Sequence, residues 1–148
     1  MRIEVLNAVV STLRDATPAL LADAKLIYAT PIVTWLKAGS PTEIQVCDGG
    51  SSYPPLDPRY EVFDVMVGIL QRQPTDYGRK HEIALTTVAT SILKLKEQIV
   101  SVLDVGTLGG VLMSPLLISA EGPVMNNHQY PDLLVKTVTF RGAYIIGR

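Results

Sequence analysis

Arg59-Tyr60-Glu61-Val62-Phe63-Asp64-Val65-Met66-Val67-Gly68-Ile69-Leu70-Gln71 is the stretch that decides the fold. Its odd positions Phe63, Val65, Val67 and Ile69 are uniformly apolar. The even positions Tyr60, Val62, Asp64, Met66 and Leu70 are mostly apolar with one acid. Alternation with a period of two reads as a strand, and at ~3.3 Å per residue such a strand spans about 40 Å. A strand apolar on both sides is covered on both sides. One helix layer covers one face, which leaves the other for a further element or a neighbouring subunit.

Working outward, the next strong signal follows the turn Gln73-Pro74-Thr75-Asp76-Tyr77-Gly78. His81, Leu85, Val88, Ile92, Leu95, Ile99 and Val102 step by alternate fours and threes, which predicts a helix over 79–103. Its length is ~37 Å at 1.5 Å per residue, a match for the long strand. Upstream, Ile3, Leu6, Val9, Val10 and Leu13 mark an amphipathic helix over 2–16. Residues 25–41 are ambiguous, with Leu26-Ile27-Tyr28 and Ile32-Val33 as short strand candidates and Trp35 as an anchor. Glu43 to Asp48 alternates and reads as a strand, followed by a Gly- and Pro-rich loop over 49–58. Downstream, Leu116–Glu121 reads as a short strand, Gly122–Asp132 as a loop, and Leu133–Ile146 as the last strand. On that strand Leu134, Val138 and Phe140 share one face, and Val135, Thr137, Thr139 and Arg141 the other. The expected fold class is therefore α+β. A sheet of about four mainly antiparallel strands carries two main helices on one face, in the order α-β-β-α-β-β.

The chain has 148 residues, 16.1 kDa, room for one domain with a core of its own. Hydrophobic residues make up 47% and charged residues 18%, with a mean hydropathy of +0.26. That balance excludes disorder and points to apolar surface covered by other chains. The net charge of −1 lacks the basic excess of a nucleic-acid binder. No run reaches the ~18 apolar residues of a membrane span. The first residues show no signal-peptide pattern, and the lone Cys47 fits a reducing compartment.

Catalytic patterns are missing. Gly49-Gly50-Ser51-Ser52-Tyr53 is not a nucleophile elbow, and Gly106 to Gly110 lacks the Lys-Ser/Thr of a phosphate loop. Cys47, His81 and His128 are too dispersed for a metal site to be read from spacing. Asp48, Asp57 and Asp64 surround the first hairpin without fixed distances. Arg59, Arg72, Lys136 and Arg141 form a basic patch if they share one sheet face, partly neutralised by Glu61 and Asp64. Ion pairing between subunits explains such mixed charge better than phosphate binding does.

The whole-chain pattern resembles the tail terminator, or tail completion, proteins of long-tailed bacteriophages. The resemblance rests on the helix at 2–16, the strand, loop and long strand over 43–71, the helix at 79–103 and the closing Lys136-Thr137-Val138-Thr139-Phe140-Arg141. Residues 25–41 exceed the expected connection. The resemblance implies a single domain over 1–148 that forms a homo-oligomer, a hexameric ring, at the head-proximal end of the tail. There it stops tail-tube polymerisation and joins the tail to the head-side connector. Its implied partners are the tail-tube protein, a sheath if the tail is contractile, and the connector or stopper protein. Genomic DNA passes through the lumen without sequence-specific binding. No cofactor, enzymatic activity or membrane is implied. The place is the virion tail or neck, after assembly in the host cytoplasm. The interface candidates are Tyr53, Leu56, Arg59, Asp64, Arg72, Asn127, Tyr130, Lys136 and Arg141. The alternatives are a head-closure or neck protein and, in a different class, a small α+β enzyme or ligand-binding domain.

Overall fold

A computed structural model describes residues 2–17, 19–20, 27–30, 42–52, 60–72, 79–104, 106, 108, 110, 112, 115–126 and 133–145. The elements are α1 (Arg2–Arg14), β1 (Ile27–Thr30), β2 (Thr42–Ser52), β3 (Tyr60–Arg72), α2 (Arg79–Leu103), β4 (Leu117–Glu121), β5 (Met125–Asn126) and β6 (Leu133–Ile145). Trp35 and the Ile32-Val33 candidate lie outside the described residues.

The long strands β3 and β6 pair antiparallel without interruption, from Tyr60 opposite Ile145 to Arg72 opposite Leu133. The sheet grows outward from this pair in the order β1-β2-β3-β6-β4, with β5 also on β6. The class is α+β, as expected, but the described residues form a mixed sheet of six strands and not four mainly antiparallel ones. The extra strand β1 lies within the ambiguous 25–41 segment and runs parallel to β2, Ile27 opposite Ile44 and Thr30 opposite Cys47. The connection between β1 and β2 lies outside the described residues.

Two expected loops are in part strand. β2 continues through Gly49 and Gly50 to Ser52, and its register on β3 slips between Asp48 and Ser51. The extra residues form a bulge in which Gly50 takes φ 99°, open to glycine, and its N–H donates to Asp48 Oδ1 at 3.0 Å. A Gly-Gly pair thus signals a bulge here and not the end of the strand. β4 and β5 form one outer strand along β6, interrupted at Gly122-Pro123-Val124. Proline has no N–H for a ladder, so the break falls there, while Gly122 N–H still donates to the Thr137 carbonyl at 2.9 Å.

Both helices cover one face of the sheet. Val5, Leu6, Val9, Val10 and Leu13 of α1 and Ile92, Leu95, Ile99 and Leu103 of α2 form one buried cluster with Ile44, Val46, Phe63, Val65, Val67, Ile69, Leu134, Val138 and Phe140. Burial of each such side chain contributes about 1.5–3 kcal/mol. Ile3, expected in the apolar stripe, is 71% exposed, and Val5 takes the inward place. At the end of α2, Leu103 is buried and Val102 only half-buried, because a straight helix of 3.6 residues per turn drifts off a strict 3.5 repeat. Arg14 at the end of α1 donates from Nε at 2.9 Å and Nη2 at 2.5 Å to the Ile27 carbonyl, joining helix to β1.

The opposite face carries a second small cluster, Leu70 and Leu133 with Val135 against them. Gln45 and Cys47 of β2 also point to that side and are buried. Toward the other end of β3 and β6, Asp64, Met66, Thr137 and Thr139 are half-buried and Arg141 exposed.

Candidate assembly surface

The surface lies along the outer strand and the sheet face away from the helices. All five residues of β4 are exposed. Cross-strand partners share a face. Leu117, opposite Arg141, therefore lies on the open face, and Ile118, opposite Phe140, on the helix side. A bulge between Ile118 and Ala120 resets the phase so that Glu121, opposite Val138, also lies on the helix side. Leu117 is 61% exposed and Ile118 43%; Met125 of β5, opposite Val135 farther along β6, is exposed on the open face. Leu93 of α2, one turn before Lys96, adds a further exposed apolar side chain.

A charged clamp holds this outer strand. Lys136 Nζ lies 2.7 Å from Glu121 Oε1 and donates to the Gly122 carbonyl at 2.7 Å, while Lys96 Nζ of α2 lies 3.1 Å from Glu121 Oε2. The hydrogen bonds from Lys136 and Lys96 hold the Glu121 carboxyl below the usual carboxylate range.

On the open face, Arg141 Nε donates to Asp64 Oδ1 at 3.0 Å and Nη2 to Oδ2 at 3.3 Å. The two residues are direct cross-strand partners. The carboxylate raises the guanidinium above its usual value, first through the hydrogen bond and then through charge.

On the same face, toward the opposite edge of the sheet, Tyr28 Oη donates to Glu43 Oε2 at 2.9 Å and accepts from Gln45 Nε2 at 2.7 Å. Burial, then the Glu43 hydrogen bond, pushes the Tyr28 phenol up to about 12. Gln45 Oε1 is buried without a hydrogen-bond partner among the described residues. Burial also pushes the Cys47 thiol up to about 11, so it stays protonated at neutral pH.

The interface candidates fall into three groups. Asp64 and Arg141 meet, but within one chain, and so the expected charge pairing between subunits is satisfied internally for these two. Lys136 does not join them. It shares parity with Leu134 and Val138, lies on the helix-covered face and is 3% exposed, so the basic patch of Arg72, Lys136 and Arg141 on one face does not form. Arg72 stands opposite Leu133, about 26 Å along the strand from the Asp64–Arg141 pair. Tyr53, Leu56, Arg59, Asn127 and Tyr130 lie outside the described residues, as does His128.

Sequence reading missed Glu121, whose place beside Lys136 depends on the β4 bulge. It also missed Tyr28, Glu43 and Gln45. Their polar side of β2 was visible in the alternation with Ile44 and Val46, but their partner strand was not. A groove of about 1110 Å³ between α1 and α2 was missed too; Ser11, Thr12, Asp15, Lys94, Gln98 and Ser101 help to line it. Its small and hydroxyl side chains, such as Ala8, Ser11 and Ser101, leave space between the helices. Among the described residues no three His, Cys, Asp or Glu side chains are grouped to hold a metal ion, and no helix is long and apolar enough to cross a membrane.

No protein-family model matches the chain, and no curated protein sequence matches it.

Proposed function

We propose that the chain is a structural assembly subunit, the tail terminator of a long-tailed bacteriophage. In this reading six copies form a ring at the head-proximal end of the tail, stop elongation of the tail tube and offer a docking surface to the head-side connector. The single observation that carries the assembly part is the outer strand β4. It is exposed at every position, with Leu117 on one face and Ile118 on the other. Native edges are ordinarily short, charged or covered, and an edge with apolar side chains on both sides favours a partner chain. Low charge content and positive mean hydropathy point the same way. The tail-terminator part rests on the sequence resemblance and on the succession α1, β2, β3, α2, β4, β6, to which β1 and β5 are additions.

Negative-stain electron microscopy of the purified chain, alone and with polymerising tail-tube protein, tests the reading. Six-fold rings with an open centre, which end the growing tubes, are the expected result. Tubes that grow past the added chain at unchanged length would refute it.

A further inference from the structure

We infer that β4 of one copy pairs with β1 of the next, so that the sheet continues from subunit to subunit around the ring. The inference rests on the ring-forming reading and names its junction.

Among the described residues the sheet order begins with β1 and ends with β4. β4 offers an exposed stretch of five residues, and β1 has four, so the two are matched in length. The charge on β4 is already used. Glu121 is held inward by Lys96 and Lys136, so it does not guard the outer edge as a charged edge residue ordinarily does. β1 reads Ile27-Tyr28-Ala29-Thr30, with no acidic or basic residue of its own; the Arg14 guanidinium beside it is spent on the Ile27 carbonyl, which leaves the pairing to the rest of the strand.

Strand sense supplies the second argument. β2 runs parallel to β1, β3 antiparallel to β2, β6 antiparallel to β3 and β4 antiparallel to β6. β4 therefore runs opposite to β1. A rotation about an axis roughly along the strands keeps the strand sense of every copy. β4 then meets the β1 of its neighbour antiparallel, the more stable pairing type per residue. The helices stay on the same side of the continued sheet. Two different edges meeting head to tail make a heterologous contact, the kind that closes into a ring. Pairing of β4 with β4 across a two-fold axis would also be antiparallel, but it uses the same edge of both copies and stops at a dimer. The bulge at Ser119 restricts the pairing to the residues on either side of it.

Hydrogen–deuterium exchange of the full chain over a dilution series, read on peptides carrying β4 and β1, tests the junction. Assembly is expected to slow exchange in both strands together, by roughly tenfold or more for the newly bonded amides. The double variant Leu117→Lys/Ile118→Lys alters two exposed side chains. It is expected to keep the native circular dichroism and to stay monomeric at concentrations where the parent assembles. A six-copy species without added protection in either strand, or one that forms equally well from the double variant, overturns the junction and leaves the ring reading standing. Protection of β4 alone, in a dimer, replaces it with the two-fold contact. A chain that stays monomeric at every concentration counts against junction and ring together.

Discussion

Lys136 on β6 and Glu121 on β4 meet at 2.7 Å, with the lysine side chain only 3% exposed. The lysine stem passes through the helix-covered face, and its ammonium ends at the sheet edge, where Glu121 and the Gly122 carbonyl receive it. A buried lysine persists only when paired and hydrogen-bonded, and this one is both. The pair, with Lys96, ties β6, α2 and the exposed outer strand together.

Lys136→Met removes the charge and keeps the stem. The Gly122 carbonyl then loses its side-chain donor and Glu121 its buried partner, at a cost of about 1–3 kcal/mol in urea unfolding. The pH dependence has a definite sign. The folded carboxyl of Glu121 lies below its ordinary value, chiefly through the Lys136 hydrogen bond. Its contribution is complete above the unfolded carboxylate pKa of about 4.3 and is lost as pH falls through the folded value. The gap in stability between parent and variant therefore narrows on acidification. A gap that stays constant from neutral pH down to about pH 3 would show that the clamp is not ionic.

Gly49→Ala tests the β2 bulge. A Cβ there would stand 2.9 Å from Asp64 Cβ, 3.0 Å from the Asp64 carbonyl oxygen and 3.1 Å from Met66 Cγ. The backbone oxygen has no room to yield, so β2 must move off β3, with an expected loss of about 1–3 kcal/mol. Gly122→Ala is the control, because its nearest neighbour is the Thr137 carbonyl oxygen at an ordinary 3.7 Å. Thermal unfolding of the two variants should differ clearly, and equal midpoints would contradict the bulge geometry.

Leu95→Asp places a carboxylate where the side chain is 2% exposed, against the sheet. Burial of an unpaired charge costs more than a marginal domain can lose, so the variant should not fold. Leu93→Asp, at a position 45% exposed two residues away, should fold. Circular dichroism checks both, and a native spectrum for Leu95→Asp would refute the helix phase.

The helix phase itself was readable in advance. Ile92, Leu95 and Ile99 fall in the buried cluster as their spacing predicts, and the alternation at Phe63, Val65, Val67 and Ile69 places the same side of β3 against the helices. Long periodic segments are legible because one face is buried along their full length. The errors fall where a single residue resets the phase. Gly50 turns an expected loop into a bulge, and the bulge beside Ser119 brings Glu121 round to Lys136. β1 was only one candidate among several because four residues are too few for a period, and its pairing with β2 is set by distant sequence. At the candidate site, Asp64 and Arg141 were legible as charged residues but their contact was not. It depends on the register of two strands separated by a helix.

Arg141→Glu reverses one member of that pair on the open face. Arg141 is largely exposed, so the unfolding midpoint should change little. Assembly should weaken, because the face beside Leu117 then carries two adjacent carboxylates. Size-exclusion chromatography over a dilution series checks this, and an assembly state equal to that of the parent would remove Arg141 from the subunit contact.

Native mass spectrometry of the unmodified chain over a concentration series tests the central claim most directly. The account predicts a species of six copies of the 16.1 kDa chain that grows with concentration at the expense of the monomer. A single mass of one chain, or a dimer that never extends, at every concentration would contradict it.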